Sequence, residues 1–113
     1  MAQVIWAEPA LNDLDAIADY IALDNSAAAR ELVQQVFGHV DQLTIHPVSG
    51  SKPRELRGGR YRQIVEPQCR IFYRREGATV YVLYVMRGER KLRQRALAAR
   101  SKKASPWNRK SMR

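Results

Sequence analysis

The chain has very few residues suited to metal binding or nucleophilic chemistry, with one cysteine and two histidines among 113 residues. Cys69 has no partner for an internal disulfide, and one cysteine cannot supply a metal cluster. The sequence also lacks a glycine-rich phosphate loop, a Cys/His metal spacing and a Ser/His/Asp pattern. We therefore expect no cofactor and no metal site.

Long hydrophobic stretches are missing as well. No stretch approaches the roughly 20 apolar residues of a membrane-spanning helix, and the N-terminus has no basic segment before a long apolar run, as a secretory signal would. Hydrophobic residues make up 45% of the chain, enough to form the core of one domain. We expect a cytoplasmic protein with a single domain over residues 1–100 and a basic, disordered tail over 101–113.

Basic residues are almost absent from the first 50 positions. This part holds only Arg30 against seven acids, a net charge of −6, whereas residues 51–113 hold 19 bases against four acids, a net charge of +15. The asymmetry indicates that one part of the fold engages a negatively charged partner. Charge alone leaves open whether that partner is a nucleic acid or an acidic protein.

The first half of the chain predicts a strand and two amphipathic helices. A short apolar run at 4–6 ends at Glu8-Pro9, where a helix can begin. Apolar residues then recur at helical spacing, Asp24-Asn25-Ser26 offers a break and a cap, and Pro47 ends the second helix. These features predict an antiparallel helix pair.

The second half changes to the period of β-strands. Residues 60–65, 70–74 and 80–86 predict three strands, and Pro67-Gln68 and Glu76-Gly77 supply tight turns between them. The last strand, VYVLYVM, is apolar on both faces, which indicates a central position covered on both sides. We predict an α+β fold of order β-α-α-β-β-β, an antiparallel sheet with the helical hairpin on one face. Residues 87–100 could add a helix.

Arginines dominate the predicted sheet. Side-chain alternation places Arg60 and Arg62 on one face with Tyr61 on the other, and it places Arg70 and Arg74 together. If the hairpin register also brought Arg62 beside Arg70 or Arg74, like charges would crowd one open surface until an anion relieved them. The alternative is an ordinary solvated face balanced by Glu55, Glu66 and helix acids. The residues that we expect to bind a partner are Arg54, Arg57, Arg60, Tyr61, Arg62, Arg70, Arg74, Arg87 and Arg90.

We expect none of the usual catalytic side chains to take part. His39 and His46 fall on the second predicted helix, away from the basic sheet, and each is expected to be a surface or helix-end residue. Cys69 opens a strand and is expected to be a buried apolar residue. Tyr73, Tyr81 and Tyr84 lie in strands and are expected to pack in the core.

The elements and motifs together resemble the RelE/ParE superfamily of bacterial type II toxins over residues 3–93. A first strand precedes Ala10-Leu11-Asn12-Asp13-Leu14 and residues 17–21, which match the A-x-x-DL-x-x-IxxYI helix of similar chains. REL, RGGRYRQ, CRIFYR and VYVLYVMRGER then follow in order. The resemblance implies a toxin neutralised by a cognate antitoxin, whose acidic, partly disordered tail covers the basic face.

The superfamily has two modes of action. RelE-like members cleave messenger RNA on the ribosome, which requires a base for the 2′-hydroxyl and an acid or cation at the leaving group. Here a nuclease would depend on Arg62, Arg70, Arg74 and Arg87, yet arginine is a poor proton carrier, and residues 87–113 contain no tyrosine or histidine. ParE-like members bind and poison DNA gyrase. The missing proton carriers favour this branch, with the messenger-RNA endonuclease and a plain nucleic-acid-binding domain as alternatives.

Overall fold

The computed structural model describes residues 1–56, 59–88, 90 and 92–104. Strand β1 (Gln3–Trp6) leads into α1 (Glu8–Ala22) and α2 (Ser26–Asp41), which continues as a short 3-10 helix (Gln42–Thr44). The strands β2 (Tyr61–Val65), β3 (Cys69–Glu76) and β4 (Thr79–Arg87) follow, and α3 (Gln94–Lys103) comes last. The predicted β-α-α-β-β-β order is confirmed, with one additional helix after it.

The four strands form one sheet in the order β1-β4-β3-β2. The β2–β3 and β3–β4 pairs are antiparallel hairpins, as predicted, whereas β1 lies parallel to β4 from Gln3 opposite Thr79 to Trp6 opposite Val82. The predicted antiparallel sheet is confirmed for β2, β3 and β4, and the parallel pairing of β1 makes the sheet mixed at this edge. The helix pair causes the difference, because it returns the chain to the sheet by a long crossover that allows parallel pairing.

The predicted helical hairpin covers one face of the sheet. Asn25 caps α2 by accepting a hydrogen bond from the Ala28 amide at 3.0 Å, which confirms the predicted break between the helices. The apolar stripes of both helices pack against one face of β3 and β4, and Trp6 contacts Phe37 with ring centroids 5.0 Å apart. The residues most deeply buried in this layer include Leu14, Val36, Val40, Leu43, Ile71, Tyr73, Val80 and Val82.

A second apolar layer lies on the opposite face, under α3. Phe72 and Leu83 from the sheet are fully buried with Leu97 of α3, and Leu92 joins them from the segment before that helix. Strand β4 is thus covered on both sides, which confirms the prediction drawn from VYVLYVM. The helix expected from residue 87 begins instead at Gln94, because β4 continues to Arg87.

Helix α3 ends at Lys103, beyond the domain boundary expected at residue 100, and Ser101 is buried. Most of the expected tail, residues 105–113, lies outside the described part of the chain, and its disorder remains a prediction. Within the described residues, no helix is both long enough and apolar enough to cross a membrane.

Candidate partner-binding surface

Arg70 and Arg74 share one face of β3, as the alternation predicted, and this is the face that α3 covers. The Arg70 guanidinium lies 5.0 Å from the Phe72 ring centroid, and that of Arg74 lies 4.5 Å from the Tyr81 centroid. Cations over aromatic faces in a partly dry layer are stabilised by the ring quadrupole. Both arginines therefore belong to the second apolar layer and not to an open surface.

Arg70 connects β3 to the loop before β2 and to the segment before α3. Its guanidinium donates to both carboxylate oxygens of Glu55, at 3.2 and 3.0 Å, and to the carbonyl oxygen of Arg90 at 2.8 Å. Glu55 also accepts a hydrogen bond from the Leu92 amide at 3.3 Å. The hydrogen bond from Arg70 is the main reason that the pKa of Glu55 falls to about 2. The Glu55–Arg70 pair fastens the loop before β2 and the segment before α3 to the sheet.

Arg74 is buried, with only 5% of its surface exposed. Its guanidinium donates to the hydroxyl and carbonyl oxygens of Ser101 at 2.9 and 3.1 Å, and to Glu76 at 2.8 Å. A buried guanidinium needs such partners because its desolvation is costly. Arg74 anchors α3, so it is not available to bind another molecule in this arrangement.

Arg62 lies on the opposite face of the sheet from Arg70 and Arg74, because it pairs with Tyr73 across the β2–β3 ladder. It donates to the Gly50 carbonyl at 2.8 Å, and the Gly50 amide donates to the Tyr73 hydroxyl at 2.8 Å. Burial raises the pKa of Tyr73. The register that would have crowded Arg62 with the β3 arginines is not formed.

The remaining predicted residues lie at different places along the sheet. Arg60 is exposed at the start of β2, where its guanidinium lies 5.8 Å from the ring centroid of the half-buried Tyr61, and Arg54 is exposed in the loop before β2, next to Glu55. Arg57 lies outside the described residues. Arg87 and Arg90 lie at the other end of the sheet, and the Arg87 guanidinium lies 4.7 Å from the ring centroid of Tyr20. The expected single arginine surface is therefore not formed: Arg60 lies at one end of the sheet, Arg87 and Arg90 lie at the other, and Arg62, Arg70 and Arg74 are internal anchors.

The half-buried Arg87 and the exposed Arg90 border an open groove between α1 and β4. The groove has a volume of about 270 Å³ and adjoins a wider depression of about 670 Å³ that reaches α3. Tyr84, Met86 and Arg90 line both. We call this surface the β4 groove and define it by Tyr20, Tyr84, Met86, Arg87 and Arg90. It combines an apolar floor with a basic rim.

An ion pair that the sequence analysis missed closes the edge of β4 beside this groove. Strand β1 pairs with β4 only as far as Val82. Beyond that point Asp13 accepts a hydrogen bond from the Val85 amide at 3.0 Å, and Arg100 donates to the Leu83 carbonyl at 3.1 Å. Asp13 and Arg100 also form a salt bridge with each other. These side chains take hydrogen-bonding positions that a neighbouring strand would otherwise fill.

The sequence predicts this ion pair only in part. Asp13 belongs to the helix motif that carried the resemblance, yet no local pattern shows that it faces a strand edge distant in sequence. Arg100 stacks on Tyr84, with its guanidinium 3.8 Å from the ring centroid, although its place in the sequence indicates only a basic segment. The sequence likewise predicts Glu55 as a general counter-charge and not as the specific partner of Arg70.

The prediction that both histidines lie on the second helix, away from the sheet, was wrong. His39 is partly exposed on α2, but its Nδ1 contacts the carboxylate of Glu66 in the β2–β3 turn, and the Glu66 side chain is only 2% exposed. His39 is thus tied to the sheet, while His46 lies beyond the 3-10 helix instead of on α2. The contact arises because the hairpin folds under α2, which the linear sequence does not reveal.

The described residues contain no assembled catalytic group that we recognise. Cys69 is fully buried, and burial raises the pKa of its thiol to about 11, so the thiol is a poor nucleophile. No three His, Cys, Asp or Glu side chains within the described ranges could together hold a metal ion. The arginines expected for a nuclease are not brought together, because Arg62 lies on one face and Arg70 and Arg74 are engaged on the other.

Comparison with known proteins identifies the family of this fold. The family model for the ParE toxin of the type II toxin-antitoxin system parDE matches residues 4–92, from β1 to the segment before α3. A solved chain from a chromosomal ParDE toxin-antitoxin system of P. aeruginosa is similar, with a TM-score of 0.64 and 26% sequence identity. The match covers 79% of this chain and 98% of that one. No curated protein matches in sequence. The chain belongs to the ParE toxin family of type II toxin-antitoxin systems, which confirms the branch favoured by its sequence and implies a cognate antitoxin.

Proposed function

We propose that this toxin acts in the cytoplasm by binding and inhibiting DNA gyrase, and that its cognate antitoxin neutralises it through an acidic segment. The observation that carries the proposal is the family match over residues 4–92, which takes in all four strands and the first two helices. Inhibition of gyrase is the activity that the resemblance to ParE-like toxins implies. Binding, and not chemistry performed by this chain, is the proposed mechanism.

The β4 groove is the surface that we propose for partner binding. Tyrosine, methionine and arginine are enriched at the centres of protein interfaces, because they bury large areas and still form directed polar contacts. Tyr20 is 59% exposed and Arg90 is exposed, so both can reach a partner without rearrangement of the fold. The basic rim favours carboxylates, which supports an acidic antitoxin segment as one occupant.

The engagement of Arg62, Arg70 and Arg74 by the chain's own groups supports a binding role over RNA cleavage. Guanidinium groups can stabilise a phosphate, but they remain protonated near neutral pH and so cannot act as a general base. A cleavage site would also need its cations around one phosphate, whereas Arg74 holds α3 and Arg70 holds the loop before β2. The exposed Arg54, in the loop before β2, and Arg60, at the start of β2, remain candidates for a second partner contact.

The experiment is a supercoiling reaction with purified gyrase, relaxed plasmid and the purified toxin. We expect loss of supercoiling and accumulation of cleaved DNA as toxin is added, and reversal when the antitoxin encoded beside the toxin gene is added first. Normal supercoiling at micromolar toxin would refute the proposal. A parallel translation extract tests the alternative, because cleavage of messenger RNA at the ribosomal A site would identify a nuclease instead.

A further inference from the structure

Helix α3 presents a basic face to solvent. Arg95 and Lys102 are exposed and lie seven residues apart, which is two helical turns or about 10 Å along the same side. Between them this face carries only the small side chains of Ala98 and Ala99. In the described part of the chain, no carboxylate forms a salt bridge with Arg93, Arg95 or Lys102. Among the described residues, no carboxylate therefore neutralises Arg95 or Lys102 on this face.

The opposite side of α3 fixes the direction of that face. Leu97 is fully buried in the second apolar layer, and Ser101 is held by Arg74 at 2.9 Å. Arg100 adds the salt bridge to Asp13 and the bond to the Leu83 carbonyl. These contacts hold α3 in one orientation. Arg95 and Lys102 lie on the other side of the helix, so their charges face solvent.

We propose that the exposed face of α3 binds the phosphate backbone of duplex DNA without sequence preference. Helix α3 itself has four bases and no acid, so its own side chains do not repel a polyanion. The small alanines between the cations permit close approach of a phosphate backbone. The family match ends at residue 92, before α3 begins, so this surface lies outside the region that the match covers.

Two other occupants fit the surface less well. An acidic protein would need apolar anchors at the centre of its interface, and the exposed face of α3 offers only alanine there. A single-stranded nucleic acid is usually held by bases stacked on aromatic side chains, and α3 contains no aromatic residue. A duplex needs only spaced cations that contact phosphates, which this face supplies.

The test measures binding of the isolated full-length toxin to a labelled duplex by fluorescence anisotropy over a range of salt concentrations. The variant Arg95→Gln/Lys102→Gln removes the two cations of the proposed surface. The control Arg30→Gln/Lys52→Gln removes two exposed cations elsewhere and gives the same net charge. Circular dichroism confirms that both variants fold. Neither gyrase nor antitoxin is present, so the result is independent of the proposed toxin function.

We expect the wild-type toxin to bind the duplex with a steep salt dependence. The α3 variant should bind at least about tenfold more weakly, while the control stays close to wild type. The log–log salt slope of the α3 variant should also fall by roughly 0.9 for each phosphate that it no longer neutralises. Equal losses of affinity in both variants would show an effect of net charge alone and overturn the proposal. Tighter binding of single-stranded DNA or of poly-glutamate than of the duplex would also overturn it.

Discussion

Glu55 and Arg70 stabilise the fold by forming a salt bridge in a partly buried layer. The carboxylate receives two hydrogen bonds from Arg70 and one from the Leu92 amide, and its pKa is about 2 instead of the usual 4.5. A carboxyl group with a lowered folded-state pKa stabilises the protein above its unfolded pKa. That contribution is lost as the pH falls from about 4.5 towards 2.

We predict that Glu55→Gln lowers the free energy of unfolding by about 1.5–3 kcal/mol at neutral pH, the usual range for hydrogen bonds to a charged group. At about pH 3 the difference from wild type should shrink by more than half, because Glu55 in the wild-type unfolded state is then largely protonated. Urea denaturation at the two pH values measures both quantities. Glu31→Gln, at an exposed site on α2, is the control. A difference that did not change with pH would contradict this assignment.

Two glycines should respond to the same substitution in opposite ways. A Cβ at Gly50 would lie 2.6 Å from both the Gln63 carbonyl and the Tyr73 hydroxyl, whereas a Cβ at Gly38 meets nothing within 4 Å. We predict that Gly50→Ala destabilises the protein by about 1–3 kcal/mol through overpacking. Gly38→Ala, inside α2, should stabilise it by about 0.5–1 kcal/mol. Thermal unfolding of the two variants tests this, and a stable Gly50→Ala variant would show that the loop is not held by Tyr73.

At the scale of elements, most of the fold could be predicted because each element has a local pattern. The helical stripes, the cap at Asn25 and the turns at Pro67-Gln68 and Glu76-Gly77 depend on neighbouring residues. The parallel pairing of β1 and the position of α3 depend on contacts between residues far apart in sequence. Asp13 and Arg100, for example, are 87 residues apart in the chain and are in contact in the folded structure. The sequence therefore predicted the elements better than it predicted their tertiary contacts.

The Asp13–Arg100 pair should control how firmly α3 is held. We predict that Asp13→Ala and Arg100→Ala each raise the amide hydrogen-exchange rates of α3, and that Asp13→Ala also raises the rate at Val85, because the acceptor of its amide is removed. A double-mutant cycle should give a coupling energy of about 0.5–3 kcal/mol. Arg95→Ala, on the exposed face of the same helix, should leave exchange at Val85 unchanged. Additive effects of the two substitutions would mean that the ion pair does not couple the helices.

At the scale of the whole molecule, the charge asymmetry has a more specific meaning than composition alone could give. The sequence correctly indicated a basic second half and the toxin family, but it predicted one shared arginine surface. The structure instead uses Arg62, Arg70 and Arg74 to hold loops and α3, and it leaves cations exposed near the start of β2, around the β4 groove and on α3. Alternation along a strand identifies which residues share a face, but it does not show what covers that face.

The central claim is that this toxin inhibits gyrase through a binding surface at the β4 groove, and one measurement tests it directly. It compares the toxin concentrations that halve gyrase supercoiling for wild type, Arg90→Glu and Arg30→Glu, two charge reversals at exposed positions with the same net charge. We predict that Arg90→Glu raises this concentration at least about tenfold, as expected for a loss of about 1.4 kcal/mol at an interface, while Arg30→Glu matches wild type. Equal inhibition by all three proteins, or no inhibition by any of them, would contradict the account.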